Sequence, residues 1–224
     1  MSTTRRLAAI LAADVVGYSR LIELDEAGTL AALRERRRAI LQPLVVQRHG
    51  RIVKVMGDGV LVEFASAVNA VNCAIELQKQ FVAANAGTAD DKRIDLRVGV
   101  NLGDVVVESG DLYGDGVIIA VRLQAMAEPG GVTISGGVHD QVVGKLRAAF
   151  DDLGPREVKN SAKPVRVYRV RIGSEPAVAR LAPDRFVSPS LAVLPFNNLS
   201  GDPKEDYFAD GVVEDIIGAL SRTG

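Results

Sequence analysis

A single cysteine, Cys73, stands among 224 residues, so the chain has no internal disulfide and suits a reducing compartment. Cys73 falls inside a helical pattern and reads as a small buried side chain. The two histidines, His49 and His139, are far apart, with no cysteine or carboxylate at zinc-ligand spacing, which excludes a zinc signature. Long apolar runs are missing too: nothing approaches the roughly 18 residues a membrane helix needs. Neither sign of charge is in excess. A formal net charge of −1 gives no global pointer to nucleic acid. The motifs GxxxxGK[ST] and GxGxxG are absent, which excludes a P-loop or a dinucleotide-binding turn. GxSxG and a plausible Cys-His pair are absent as well, so nucleophilic hydrolysis has no support.

What is present is an apolar fraction of 47%, enough to bury a real core, arranged in alternating strand and helix patterns. The opening "RRLAAILAADVV" caricatures a secretory leader. Its apolar part, Leu7 to Ala13, is short for one, and β-branched residues and a Gly-Tyr-Ser turn surround its end, so it predicts a strand over Leu7 to Asp14. The expected location is soluble and cytoplasmic. A helix follows over Ala27 to Arg48, capped by Asp25, kinked by Pro43 and stopped at Gly50, with "RERRR" (Arg34 to Arg38) as a solvated face. Next come a hairpin, Arg51 to Val55 and Val60 to Phe64, and a helix from Ser66 to about Asn85. That helix has Ala67, Ala70, Val71, Ala74, Ile75, Phe81 and Val82 as its buried stripe.

"IDLRVGVNLG" predicts a strand ending near Asn101, "DVVVES" a returning strand, and Gly114 to Ala127 a third helix. "VTIS", a helix from about Val138 to Leu146 and two strands flanking "KNSAKP" complete the series. The expected class is α+β, a ferredoxin-like, antiparallel-rich sheet with helices on one face. One domain is expected over residues 1–171 and a Pro/Ala/Ser-rich linker over 172–190. Residues 191–224 then open a truncated C-terminal α/β region, too short for a core of its own. Its Asp202, Asp206, Asp210 and Asp215 read as turn, cap and surface groups.

The chemistry turns on "GRIVKVMGDGVLVEF", where Lys54 and Asp58 interrupt an apolar hairpin. A two-residue Asp58-Gly59 turn would explain the aspartate and place Lys54 opposite Glu63 as an ordinary cross-strand ion pair. The other reading starts from Asp14, which ends the first strand. With Asp58 at the tip of a neighbouring strand pair, two carboxylates share one edge, and they repel unless a cation lies between them. Hard oxygen ligands select Mg²⁺ or Mn²⁺, and two such ions can activate a hydroxyl and neutralise a polyphosphate leaving group. "VVGYS", with Tyr18 and Ser19, would offer backbone N–H groups to phosphate. Residue types alone leave both readings open.

Taken together, these residues resemble the class III nucleotidyl cyclases, especially bacterial adenylate cyclases, over about Arg5 to Val170. "AADVVGYSRL" is similar to the family's first metal motif, "KVMGDGVLVEF" to its second, and "LRVGVNLGDVV" to its central strand pair. "GDLYGDGV" with Arg122 is similar to the run into its nucleotide-facing helix. The resemblance implies Asp14 and Asp58 as metal ligands for two Mg²⁺ or Mn²⁺ ions, with the Val15 carbonyl assisting. It implies Lys54 and Asp111 as the adenine-reading pair, Arg122 as the transition-state arginine and Lys159 in "EVKN" as a phosphate-binding lysine. It further implies ATP as substrate, cyclic AMP and pyrophosphate as products, and a homodimer whose two sites are each shared between chains. The C-terminal stretch is similar to the start of the region that follows the cyclase in long cyclases with tetratricopeptide repeats. One position departs from the pattern: the family helix usually carries asparagine four residues before the arginine, and here Ile118 stands there. Expected turnover is therefore reduced. The alternatives are a nucleotide-binding or dimerising regulatory domain and, with less support, a guanylate cyclase.

Overall fold

The computed structural model describes residues 4–108, 110–157 and 164–173. Most of the expected linker, the whole of 191–224, and Lys159 lie outside the described residues.

The apolar opening forms β1 (Thr4–Val15), a central strand whose side chains alternate between two cores. Ala9, Leu11, Ala13 and Val15 enter one, and Ala8, Ile10 and Ala12 the other. β2 (Gly50–Met56) and β3 (Gly59–Phe64) form the expected hairpin, followed by β4 (Leu96–Glu108), β5 (Asp111–Tyr113), β6 (Val132–Ser135), β7 (Ala149–Arg156) and β8 (Val165–Arg171). Their order is β2-β3-β1-β4-β6-β8-β7, with β5 paired to β4, and every described pairing is antiparallel except β4 with β6. The class is thus the expected α+β, antiparallel-rich one.

The helices are α1 (Tyr18–Leu24), α2 (Glu26–Arg36), α3 (Gln42–Gln47), α4 (Ala67–Ala84), α5 (Asp115–Met126) and α6 (Gly136–Val142). Residues of α1 to α4 and α6 join the larger core on one face, whereas Ala120 of α5 joins the smaller core on the other, so the helices do not all share a face. The expected single helix over 27–48 is α2 and α3 joined through a π-helical turn, Arg37–Leu41. Pro43 lacks the N–H that would continue the ladder, which accounts for the irregular turn just before it. Asp25 caps α2 as expected, accepting from the Gly28 N–H at 2.9 Å, and Ser66 caps α4, accepting from Asn69. In α4 the buried stripe includes Cys73, Leu77 and Gln78, while Val82 is exposed. Burial pushes the Cys73 thiol up to about 12, so it is inert at neutral pH.

Two features set the working face. β4 runs unbroken through Asn101 to Gly103, and the expected return is made later by β5. Gly99 of β4 is required by close approach: a Cβ there would lie 2.2 Å from the Gln124 nitrogen and 2.4 Å from the Ala120 carbonyl of α5. Asn101 spends its amide on the Gly116 carbonyl at 3.0 Å, fastening the first turn of α5 to the sheet. The second feature is an extra residue in β2. Arg51 pairs with Glu63 and Ile52 with Val62, but Lys54 pairs with Leu61, so Val53 is a bulge.

Candidate functional site

The hairpin turn is Gly57-Asp58, one residue earlier than Asp58-Gly59, because Met56 pairs with Gly59. Gly57, at φ 56°, supplies the positive φ that the first turn position needs. The shifted turn overturns the expected Lys54–Glu63 pair, since it sets Lys54 opposite Leu61, and the bulge beyond it sets Arg51 opposite Glu63. Paired residues of an antiparallel ladder share a face, so Arg51, Lys54, Leu61 and Glu63 all lie on the α5 side. Glu63 binds arginines instead, and Lys54 is free to look elsewhere.

It meets Asp111. The Lys54 Nζ donates to Asp111 Oδ2 at 2.8 Å, while Asp111 Oδ1 accepts from the Leu112 N–H at 3.1 Å and the Tyr113 hydroxyl lies 3.5 Å from Oδ2. The hydrogen bond to Asp111 raises the Lys54 ammonium above its ordinary value, and the same bond lowers Asp111, so both are charged at neutral pH. An ammonium has three donors and each carboxylate oxygen has two acceptor directions, so the pair retains capacity for a planar ligand. On α5, Ile118, Val121 and Arg122 form part of an exposed stripe, with Ile118 39% exposed. Ile118 is therefore not a core residue of its own chain. It shares the exposed side of the helix with Arg122, as spacing by four requires.

Asp14 and Asp58 come to the same end of neighbouring strands. Asp14 follows Ala13, the last β1 residue paired with β3, and Asp58 precedes Gly59 at the start of β3. Asp14 faces Arg97 across the β1–β4 ladder, which donates from Nε and Nη2 at 3.3 and 3.2 Å. Arg37 donates to the Gly57 carbonyl. Burial lowers the Arg37 guanidinium, while Tyr18 and Asp58 nearby counteract the shift. Val15 is buried at the strand end, Tyr18 is half-buried against the core and opens α1, and Ser19 is exposed. Among the described residues no group of three or more His, Cys, Asp or Glu could hold a metal by itself. The fit for a divalent ion is thus a pair of partly exposed carboxylates and a carbonyl, the remaining oxygens coming from phosphate and water. A guanidinium already lies against Asp14, a cation in the place where that carboxylate needs one.

Arg97 and Arg51 are not among the residues expected at the site, Glu63 is expected only as the partner of Lys54, and Arg37 only as part of a solvated face. Arg97 is the lone charge in the apolar run "LRVGV", which marks it. Arg36 and Arg37 leave the expected solvated face: Arg36 is buried and donates to the Ile94 carbonyl at 3.0 Å and to Asn85 Oδ1 at 2.7 Å. Only the packing of the end of α2 and the π-helical turn against residues 84–94 and the hairpin turn at Gly57 reveals this.

The family model for the adenylate and guanylate cyclase catalytic domain matches residues 2–171. A protein of Rhizobium meliloti (strain 1021) bearing a provisional adenylate cyclase name is 53% identical over 226 residues, covering 99% of this chain and 38% of that protein. An adenylate cyclase of Streptomyces coelicolor is 32% identical over 139 residues, covering 62% of this chain and 35% of its own length. The chain thus spans little more than a third of these curated relatives. Among solved structures, an adenylate/guanylate cyclase/hydrolase from Silicibacter pomeroyi is 42% identical with a TM-score of 0.72, covering 75% of this chain and 98% of that one. The adenylyl cyclase CyaB of P. aeruginosa, at 24% identity and a TM-score of 0.68, covers 76% of this chain and 96% of its own and shares the fold.

Proposed function

The chain belongs to the adenylate and guanylate cyclase catalytic-domain family, the class III nucleotidyl cyclases, and from that premise we propose that it is an adenylate cyclase of reduced turnover. The observation that carries the choice of base is the Lys54–Asp111 pair at 2.8 Å. Lys54 donates to the acceptor ring nitrogen of adenine and Asp111 accepts from its exocyclic amine, whereas guanine presents the reverse pattern at those positions. Arg122 donates to the charge that develops as the 3′ hydroxyl of ATP attacks the α-phosphorus and the bond to pyrophosphate breaks. Asp14, Asp58 and the Val15 carbonyl would hold Mg²⁺ or Mn²⁺, which when bound neutralises the triphosphate and acidifies the attacking hydroxyl. Backbone N–H groups at Tyr18 and Ser19, with Lys159, would bind the phosphates. Ile118 supplies no donor where the family's asparagine would, and this favours a second reading: a nucleotide-binding regulatory domain without turnover.

Arg97 bears on the metal step. A partly exposed ion pair of this kind contributes about 1 kcal/mol or less, so a divalent ion can displace it from Asp14, at a cost. The Arg97→Gln variant is expected to bind Mn²⁺ up to about fivefold more tightly without nucleotide, about 1 kcal/mol, by electron paramagnetic resonance titration. Equal affinity would show that Arg97 does not compete for Asp14.

The site is proposed to be shared between two copies, the metal carboxylates from one and the adenine pair with Arg122 from the other. In support, Val121 on the α5 stripe that carries Arg122, and Tyr113 of β5, are exposed, 40% and 50% accessible. Among the described residues no hydrogen bond or ion pair joins the Asp14–Arg97 pair to the Lys54–Asp111 pair. Mixing inactive Asp58→Ala with inactive Lys54→Ala is expected to restore activity, since a mixed dimer holds one intact site. No recovery, with subunit exchange demonstrated, would mean that each site lies within one chain.

A further inference from the structure

A buried carboxylate between two arginines occupies the same sheet face, and one of these arginines reaches the segment carrying Asp111. Glu63 of β3 is 4% exposed. Arg51, its cross-strand partner, donates from Nε and Nη2 to Glu63 Oε2 at 3.1 and 2.9 Å. The Arg6 Nη2 lies 2.5 Å from Oε1, an ion-pair contact rather than an aligned hydrogen bond. With its fork held, Arg51 uses Nη1 to donate to the Gly110 carbonyl at 2.9 Å. Gly110 immediately precedes Asp111.

The topology gives this contact its weight. Among the described residues β2 is paired only with β3 and β5 only with β4, so no backbone ladder there joins Lys54 to Asp111. Among the described residues the side-chain ties from β2 to this segment are Lys54–Asp111 and Arg51–Gly110. A base that engages Lys54 and Asp111 competes with the first tie and leaves the second to fix their spacing. The Val53 bulge is what puts Arg51 and Lys54, three residues apart, on one face.

We propose that Arg51, locked by Glu63, is a positioning residue that sets Lys54 against Asp111 and thereby sets base discrimination. This rests on the adenine-reading role given to that pair above. A site whose donor and acceptor are held at fixed spacing rejects the wrong base through unpaired polar groups, and a slack site does so less.

The test is calorimetric binding of 3′-deoxy-ATP and 3′-deoxy-GTP, which lack the attacking hydroxyl, with Mn²⁺ on the full chain. The parent is expected to prefer the adenine nucleotide. Lys54→Ala should abolish the preference, Arg51→Ala should narrow it about tenfold, and Arg51→Lys, which cannot hold Glu63 and Gly110 together, should fall between parent and Arg51→Ala. Circular dichroism should match the parent throughout. Should Arg51→Ala misfold because Glu63 has lost its partner, the double variant Arg51→Gln/Glu63→Gln is expected to show the same narrowing. An unchanged preference in the folded Arg51 variants, with Lys54→Ala still abolishing it, overturns the positioning role alone. A preference that Lys54→Ala leaves intact overturns the adenine-reading assignment, and the positioning role with it.

Discussion

Asp58→Ala is expected to lower cyclase turnover by about 10³-fold or more while leaving the fold intact. The proposed role of Asp58 is to hold the ions that neutralise the triphosphate, an effect of several kcal/mol on the barrier, and each 1.36 kcal/mol is tenfold in rate. The structural cost should be small. Asp58 makes no side-chain hydrogen bond or ion pair among the described residues, and the turn geometry is supplied by Gly57. Steady-state kinetics with Mn²⁺, alongside thermal unfolding, reads both effects. Near-parental turnover in a folded Asp58→Ala protein would return Asp58 to the role of an ordinary turn residue.

Ile118→Asn is expected to act in the opposite direction, raising turnover by about 10²-fold, about 2.7 kcal/mol of barrier, with a much smaller change in ATP affinity. The separation of rate from affinity follows from where the donor would act: on charge that develops only in the transition state. Ile118 is 39% exposed on the stripe that carries Arg122, so asparagine there enters no core. If the isoleucine instead packs against a second copy, asparagine would bury an amide without partners and weaken association. Sedimentation on the same pair of proteins separates these outcomes. Unchanged or lower turnover with an intact dimer would remove Ile118 as the defect.

Much of this was legible from residue order because the local signals agreed. The apolar run to Asp14 became β1, the Ser66 and Asp25 caps were found where expected, and "VTIS" and the strands flanking "KNSAKP" formed as read. The exceptions share a cause, a residue whose local preference is overruled by a distant partner. "VNLGD" has the composition of a turn, yet Asn101 bonds Gly116 and Gly99 makes room for α5, so β4 continues. "RIVKVM" alternates like a regular strand, and nothing in it marks the bulge at Val53, which pairs Arg51 with Glu63, or the turn one residue early, which pairs Lys54 with Leu61 and not Glu63. The arginines that touch Glu63 and Asp14, Arg51 and Arg97, take their meaning from register. Asp14 meets Arg97 only because β4 lies beside β1, a pairing 83 residues apart in the chain.

The central claim is most directly tested by incubating the purified chain with ATP and Mn²⁺ and measuring cyclic AMP and pyrophosphate together, with GTP in parallel. The expected result is a slow release of the two products in equal amounts, stopped by a chelator and much weaker with GTP. Metal-dependent binding of ATP with no cyclic product, in the parent and in Ile118→Asn alike, would contradict it and leave a regulatory nucleotide-binding domain.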